Sequence, residues 1–125
     1  MEIVISENIP QPNGHYSPCI RHNGIVYVSG QLPVHPKTKE IPQGIEGQAL
    51  QVLENLEVIL NEAGSSKTKV LQVRIYIPNM EMWSTVNKIY GEFFGSHKPV
   101  RCVVPTRELH YGCLIEIEAT AYVEQ

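Results

Sequence analysis

No apolar run in the 125 residues is longer than a few positions, and a helix that crosses a bilayer needs about 20. The opening stretch, MEIVISENIPQPNG, has neither the basic region nor the apolar core of a secretory signal. Cysteine is scarce. Cys19, Cys102 and Cys113 are odd in number, far apart and without a C-x-x-C pair. That argues against a disulfide framework and for a reducing compartment. Positive charge is short as well: 10 Lys and Arg stand against 13 Asp and Glu, for a net charge of -3. Phosphate binding draws on clustered cations, so nucleic acid is not expected as the main partner. The expectation is a soluble, cytoplasmic protein with no membrane attachment.

Familiar catalytic signatures are also missing. There is no phosphate-binding G-x-x-x-x-G-K-[ST], no G-x-G-x-x-G, no H-E-x-x-H and no G-x-S-x-G elbow. The five histidines (15, 22, 35, 97 and 110) fall in expected loops without metal-ligand spacing, so no metal site is expected.

What is present is a globular composition, with 42% apolar and 18% charged residues. The length predicts a single domain over residues 1–125. Residues 6–18 are rich in Pro, Asn, Gly and Ser and read as irregular loop. Asn23-Gly24 between runs at 17–21 and 25–29 signals a hairpin. Residues 31–45 carry Pro33, Pro36 and Pro42 and read as a long loop. Over 46–63, Ala49, Val52, Leu53, Leu56, Ile59, Leu60 and Ala63 fall on one stripe of a helix that ends at Gly64.

Residues 69–77 alternate as a strand, with Val70, Gln72, Arg74 and Tyr76 opposite Leu71, Val73, Ile75 and Ile77. A second helix is predicted over 80–94, with a core stripe that includes Trp83 and Tyr90. A short inner strand over 100–104 and a last strand over 113–123 complete the chain. The order β-β-α-β-α-β-β predicts an α+β domain, a mixed sheet with two helices packed on one face. Its other face mixes Arg74, Glu116 and Glu118 with apolar residues, and is either solvated or covered by another subunit.

Three residue groups carry candidate chemistry. Arg101 follows Pro99 beside the apolar pair Val103-Val104. Held partly out of water, its planar fork would grip a carboxylate through two parallel hydrogen bonds; on an open surface it would make only a weak ion pair. Glu116 and Glu118 share one face of the last strand, either as a solvated face or with one of them as a general acid/base. Cys102 next to Arg101 reads either as a nucleophile favoured by the cation or as a small buried hydrophobe.

Five segments add to this: Gly14-His15-Tyr16-Ser17, Val26-Tyr27-Val28-Ser29-Gly30-Gln31, Asn87-Lys88-Ile89-Tyr90-Gly91-Glu92-Phe93-Phe94, Lys98-Pro99-Val100-Arg101 and Glu116-Ile117-Glu118-Ala119. In this order and at these separations they resemble the RidA (YjgF-like) family of reactive enamine/imine deaminases, from about residue 10 to 123.

The resemblance implies a chorismate-mutase-like fold and a homotrimer with active sites in clefts between subunits. It implies a cofactor-free hydrolase that converts 2-enamino and 2-imino acids to 2-oxoacids and ammonia. The substrates would be 2-aminoacrylate/2-iminopropanoate and 2-aminocrotonate/2-iminobutanoate. By resemblance, Arg101 is the carboxylate clamp and Glu118 holds or activates the attacking water. Tyr16, Gly30, Asn87 and Val103 line the substrate site. His15 stands where the family usually has Pro, and Val103 where it usually has Cys. The segment 105–112 also departs from the family pattern, and bears on substrate preference. A non-catalytic protein of the same fold that binds 2-oxoacids or other small carboxylates is the alternative.

Overall fold

A computed structural model describes residues 1–124. Its centre is one six-stranded sheet. Strand β1 (Glu2–Ile3) pairs antiparallel with β2 (Cys19–His22), which forms a hairpin with β3 (Ile25–Gln31). Asn23 and Gly24 both take positive φ, 52° and 78°, as a two-residue turn of this hand requires. Helix α1 (Gly44–Glu62) crosses to β4 (Val70–Ile77), and helix α2 (Trp83–Phe94) crosses to β5 (Val100–Pro105). Strand β6 (Glu116–Tyr122) then inserts between β3 and β4. The sheet order is β1-β2-β3-β6-β4-β5; β4 and β5 are parallel, and the other pairs are antiparallel.

The core lies between the helices and one sheet face. Leu56, Ile59 and Leu60 of α1 and Val86, Tyr90 and Phe94 of α2 pack with Val26, Val73, Ile75, Ile117 and Ala121. Helix α1 ends in a pair of bonds that close its last carbonyls: Ser65 N–H donates to Leu60 O (2.8 Å) and Gly64 N–H to Asn61 O (3.1 Å). Arg21 reinforces this end. Its Nη1 donates to Ala63 O at 2.9 Å while its Nε donates to Glu2 Oε1 at 3.0 Å. Arg21→Ala is expected to lower unfolding stability in urea titration by about 1 kcal/mol, since one cationic donor at a helix C-terminus is lost.

Two buried amides fix the long loop over 32–43. Asn55 of α1 donates to Val34 O (2.9 Å) and Leu32 O (3.3 Å). Gln48 donates to Pro42 O (2.9 Å) and accepts from Leu114 N–H (2.8 Å), which ties that loop to the approach to β6.

The α+β class and both helices agree with the expectation, and four details differ. Strand β1 is an additional strand, so the order is β-β-β-α-β-α-β-β; a two-residue strand is too short to show periodicity. The alternation at 69–77 slips between Val70 and Gln72, where the register with β6 shifts by one residue. That bulge buries Val70 and exposes Leu71 instead of the reverse. Residues Met80–Met82 form a 3-10 turn, with Asn79 accepting from Glu81 N–H, and both Met80 and Trp83 are exposed rather than core. Strand β5 is the edge of the sheet and not an inner strand.

Candidate active site

Adjacent residues on a strand point to opposite faces, and the pairing register assigns the faces. Arg101 lies opposite Val73, which is buried under the helices; Cys102 lies opposite Arg74 on the helix-free face. Arg101 therefore turns toward α2. Its Nη1 donates to Asn87 Oδ1 at 2.9 Å, and its guanidinium sits 4.8 Å from the centre of the Tyr90 ring. Stacking and a single amide hold the fork in place, and its other donors have no partner among the described residues. Arg101 is exposed and takes part in no ion pair among the described residues. Beneath it the Tyr90 hydroxyl is buried without a hydrogen-bond partner among the described residues, and burial pushes its pKa up to about 12. Val103, on the same face, is half-buried against the core.

Cys102 is exposed on the other face, so the Arg101–Cys102 pairing considered above is separated by the sheet. The other two thiols are buried, and burial raises the Cys19 pKa to about 11.

A second cluster forms where β3 meets β6. The register between them slips between Val28 and Gln31, so Ser29 and Gly30 bulge over β6. A Cβ built on Gly30 would lie 2.2 Å from Glu116 Oε2. Any side chain at this position would push that carboxylate aside. Burial raises the Glu116 pKa above the usual carboxylate value; His110 opposes this and Glu118 adds to it. Glu118 is placed differently. It accepts from the Tyr76 hydroxyl at 2.5 Å and lies 4.0 Å from Arg74 Nη1. That bond, together with burial and the Glu118 charge, pushes the Tyr76 pKa up to about 12.

Next to Gly30 opens a cavity of 490 Å³, lined by Tyr16, Leu32, Val34, Ile41 and Tyr111 among others. Tyr16 is half exposed at its mouth. The structure thus gathers Tyr16, Gly30 and Glu116 on one side of the sheet and Arg101, Asn87 and Val103 on the other. No trio of His, Cys, Asp or Glu among the described residues is placed to hold a metal ion. No helix among the described residues is long and apolar enough to cross a membrane.

Residues 6–123 match the family model described as Endoribonuclease L-PSP. The chain belongs to the RidA (YjgF-like) family. It is 43% identical over 124 residues to a RutC family protein of Pyrococcus horikoshii, covering 98% of each chain. Its backbone is similar to that of a Rid-family protein from Yersinia pestis, with a TM-score of 0.94, 39% identity and 98% of each chain covered. It is also similar to TdcF of Escherichia coli in a crystal structure with bound serine: TM-score 0.95, 31% identity, 99% of this chain and 100% of that one. TdcF carries the provisional name of a reactive intermediate deaminase. For a RidA-family chain, Gly30 and Arg101 were visible as motifs. The distinction between Glu116 and Glu118 was not, because it depends on the bulge at Ser29-Gly30.

Proposed function

We propose that the chain hydrolyses 2-imino acids, the tautomers of 2-aminoacrylate and 2-aminocrotonate, to 2-oxoacids and ammonia. It does so as a homotrimer in which Arg101 of one copy faces Tyr16, Gly30 and Glu116 of the next. The observation that carries this reading is the split site. A free cation suited to a carboxylate and a half-buried carboxyl suited to proton transfer lie on opposite faces of one sheet. On this reading they meet on one small substrate across two chains. The helix-free face, with Tyr27 and Val100 exposed on it, supplies the surface to pair. The serine in the TdcF crystal is an α-amino acid whose carboxylate resembles that of a 2-imino acid.

Arg101 fixes the substrate carboxylate and so orients the imine carbon. Glu116 accepts a proton as water adds to C2, which forms a carbinolamine. Starting from the iminium form, it then returns that proton to nitrogen. As the C–N bond breaks it takes the proton of the C2 hydroxyl, so the carbonyl forms, ammonia leaves, and the proton passes to solvent to give ammonium. The geometry favours Glu116 over Glu118 as the base, since Glu118 already accepts from Tyr76.

The test generates imine with an amino-acid oxidase or a dehydratase and traps the remainder with semicarbazide. Less semicarbazone in the presence of the protein is expected, and an unchanged yield would leave the carboxylate-binding alternative standing. Sedimentation should give three chains of 14.1 kDa each; a monomer that still turns over would overturn the composite site. Gly30→Ala should cut activity by about tenfold, because its Cβ displaces the Glu116 carboxylate.

A further inference from the structure

The cavity beside Gly30 is larger than a methyl or ethyl side chain can fill. Pro10, Pro18, Leu32, Val34 and Ile41 give it an apolar floor. Three of its polar wall side chains are engaged within the chain. His35 Nδ1 accepts from the backbone N–H groups of Lys37 and Thr38 (3.1 and 3.2 Å). Lys39 Nζ donates to Pro36 O at 2.6 Å, and Gln31 Nε2 to Ser29 O at 3.2 Å. A ligand group entering here gains apolar contact and few new hydrogen bonds.

The floor is rigid, because Asn55 and Gln48 pin the loop that forms it. The rim is built otherwise. Tyr111 holds φ 60° and ψ 21°, a left-handed conformation that a bulky residue rarely adopts, and Gly112 follows with φ 68°. Asn13 Nδ2 donates to the Tyr111 hydroxyl at 3.0 Å, joining the N-terminal loop to the β5–β6 connection across the cavity mouth. Both residues are exposed, and one neutral bond in water is a weak tie. Backbone strain kept at the edge of a cavity points to a use for the side chain that it places there.

We propose that Tyr111, held by Asn13, closes a side-chain pocket that selects 2-imino acids and 2-oxoacids with extended apolar side chains. The pocket rests on the reading of Tyr16, Gly30 and Glu116 as the reacting site, whose substrate side chain it would receive. Specificity then comes from apolar burial, where each added methylene raises affinity several-fold.

The test is calorimetric binding of three stable 2-oxoacids, pyruvate, 4-methyl-2-oxopentanoate and 2-oxoglutarate, to the intact protein. The 4-methyl compound is expected to bind about tenfold more tightly than either of the others. Tyr111→Gly, which relaxes the backbone and so folds, and Asn13→Ala should each bring that ratio to about threefold or less, with pyruvate affinity unchanged. Equal binding of the three acids by the wild type, tighter binding of 2-oxoglutarate, or a wild-type ratio kept in either variant would overturn the proposal. Selective binding without imine turnover would remove the deaminase reading and leave the pocket; turnover without selectivity would do the reverse.

Discussion

Arg101→Ala is expected to lower kcat/KM for imine hydrolysis by about a hundredfold or more while the protein stays folded. The fold should survive because Arg101 is itself exposed, and its truncation removes one hydrogen bond to Asn87 and one stack on Tyr90 without deleting a core side chain. The activity should not, for two reasons that act together. The substrate carboxylate loses a charge-assisted pair in the cleft of the proposed trimer, a loss of about 3 kcal/mol. It also loses its orientation, and a reacting carbon displaced by about 1 Å can cost two orders of magnitude. Arg101→Lys separates these effects. The ammonium restores charge but neither the planar fork nor the stack on Tyr90, so about a tenfold deficit should remain. Full activity in Arg101→Ala would remove the clamp and with it the composite site.

Local signals account for much of this molecule. The Asn23-Gly24 turn, the apolar stripe of α1 and the alternation of β6 each report on neighbours in sequence, and each appears near where its pattern places it, β6 starting at Glu116 rather than at residue 113. Features that depend on distant pairing do not show in a pattern. Leu71 reads as core until a bulge against β6 turns it outward. Arg101 reads as the start of an inner strand, yet among the described residues β5 pairs only with β4 and forms the sheet edge. The candidate site follows the same division. Arg101 and Gly30 sit in recognisable motifs, but the partition of the site between two sheet faces is a product of strand order. The buried amides of α1 are likewise invisible to an apolar stripe. Gln48 and Asn55 are polar residues on the buried side of the helix, and their role emerges only with the loop that they hold.

Glu116→Gln against Glu118→Gln decides which carboxyl carries the proton. The two lie on one strand face, and Glu118 is the residue that the family resemblance first suggests. Their surroundings separate them. Glu118 is already engaged, accepting from the Tyr76 hydroxyl and lying beside the Arg74 guanidinium. Glu116 is raised above the usual carboxylate value chiefly by burial. A group that holds its proton more tightly in the fold than in the unfolded chain adds stability below its unfolded pKa, and that stability is lost as pH rises through the raised value. Glu116→Gln removes this loss, so at neutral pH the variant should be at least as stable as the wild type, with the gap closing toward acid. Its kcat should nevertheless fall by about a hundredfold or more, the usual worth of a positioned acid/base, and the acidic limb of the pH–rate profile should vanish. Glu118→Gln should keep the limb and stay within about threefold of wild-type kcat, because the amide oxygen still accepts from Tyr76. Loss of one like charge would move that limb slightly toward acid. The opposite ranking, with Glu118→Gln inactive and Glu116→Gln active, would return the base to Glu118 and make Glu116 a packing partner of Gly30.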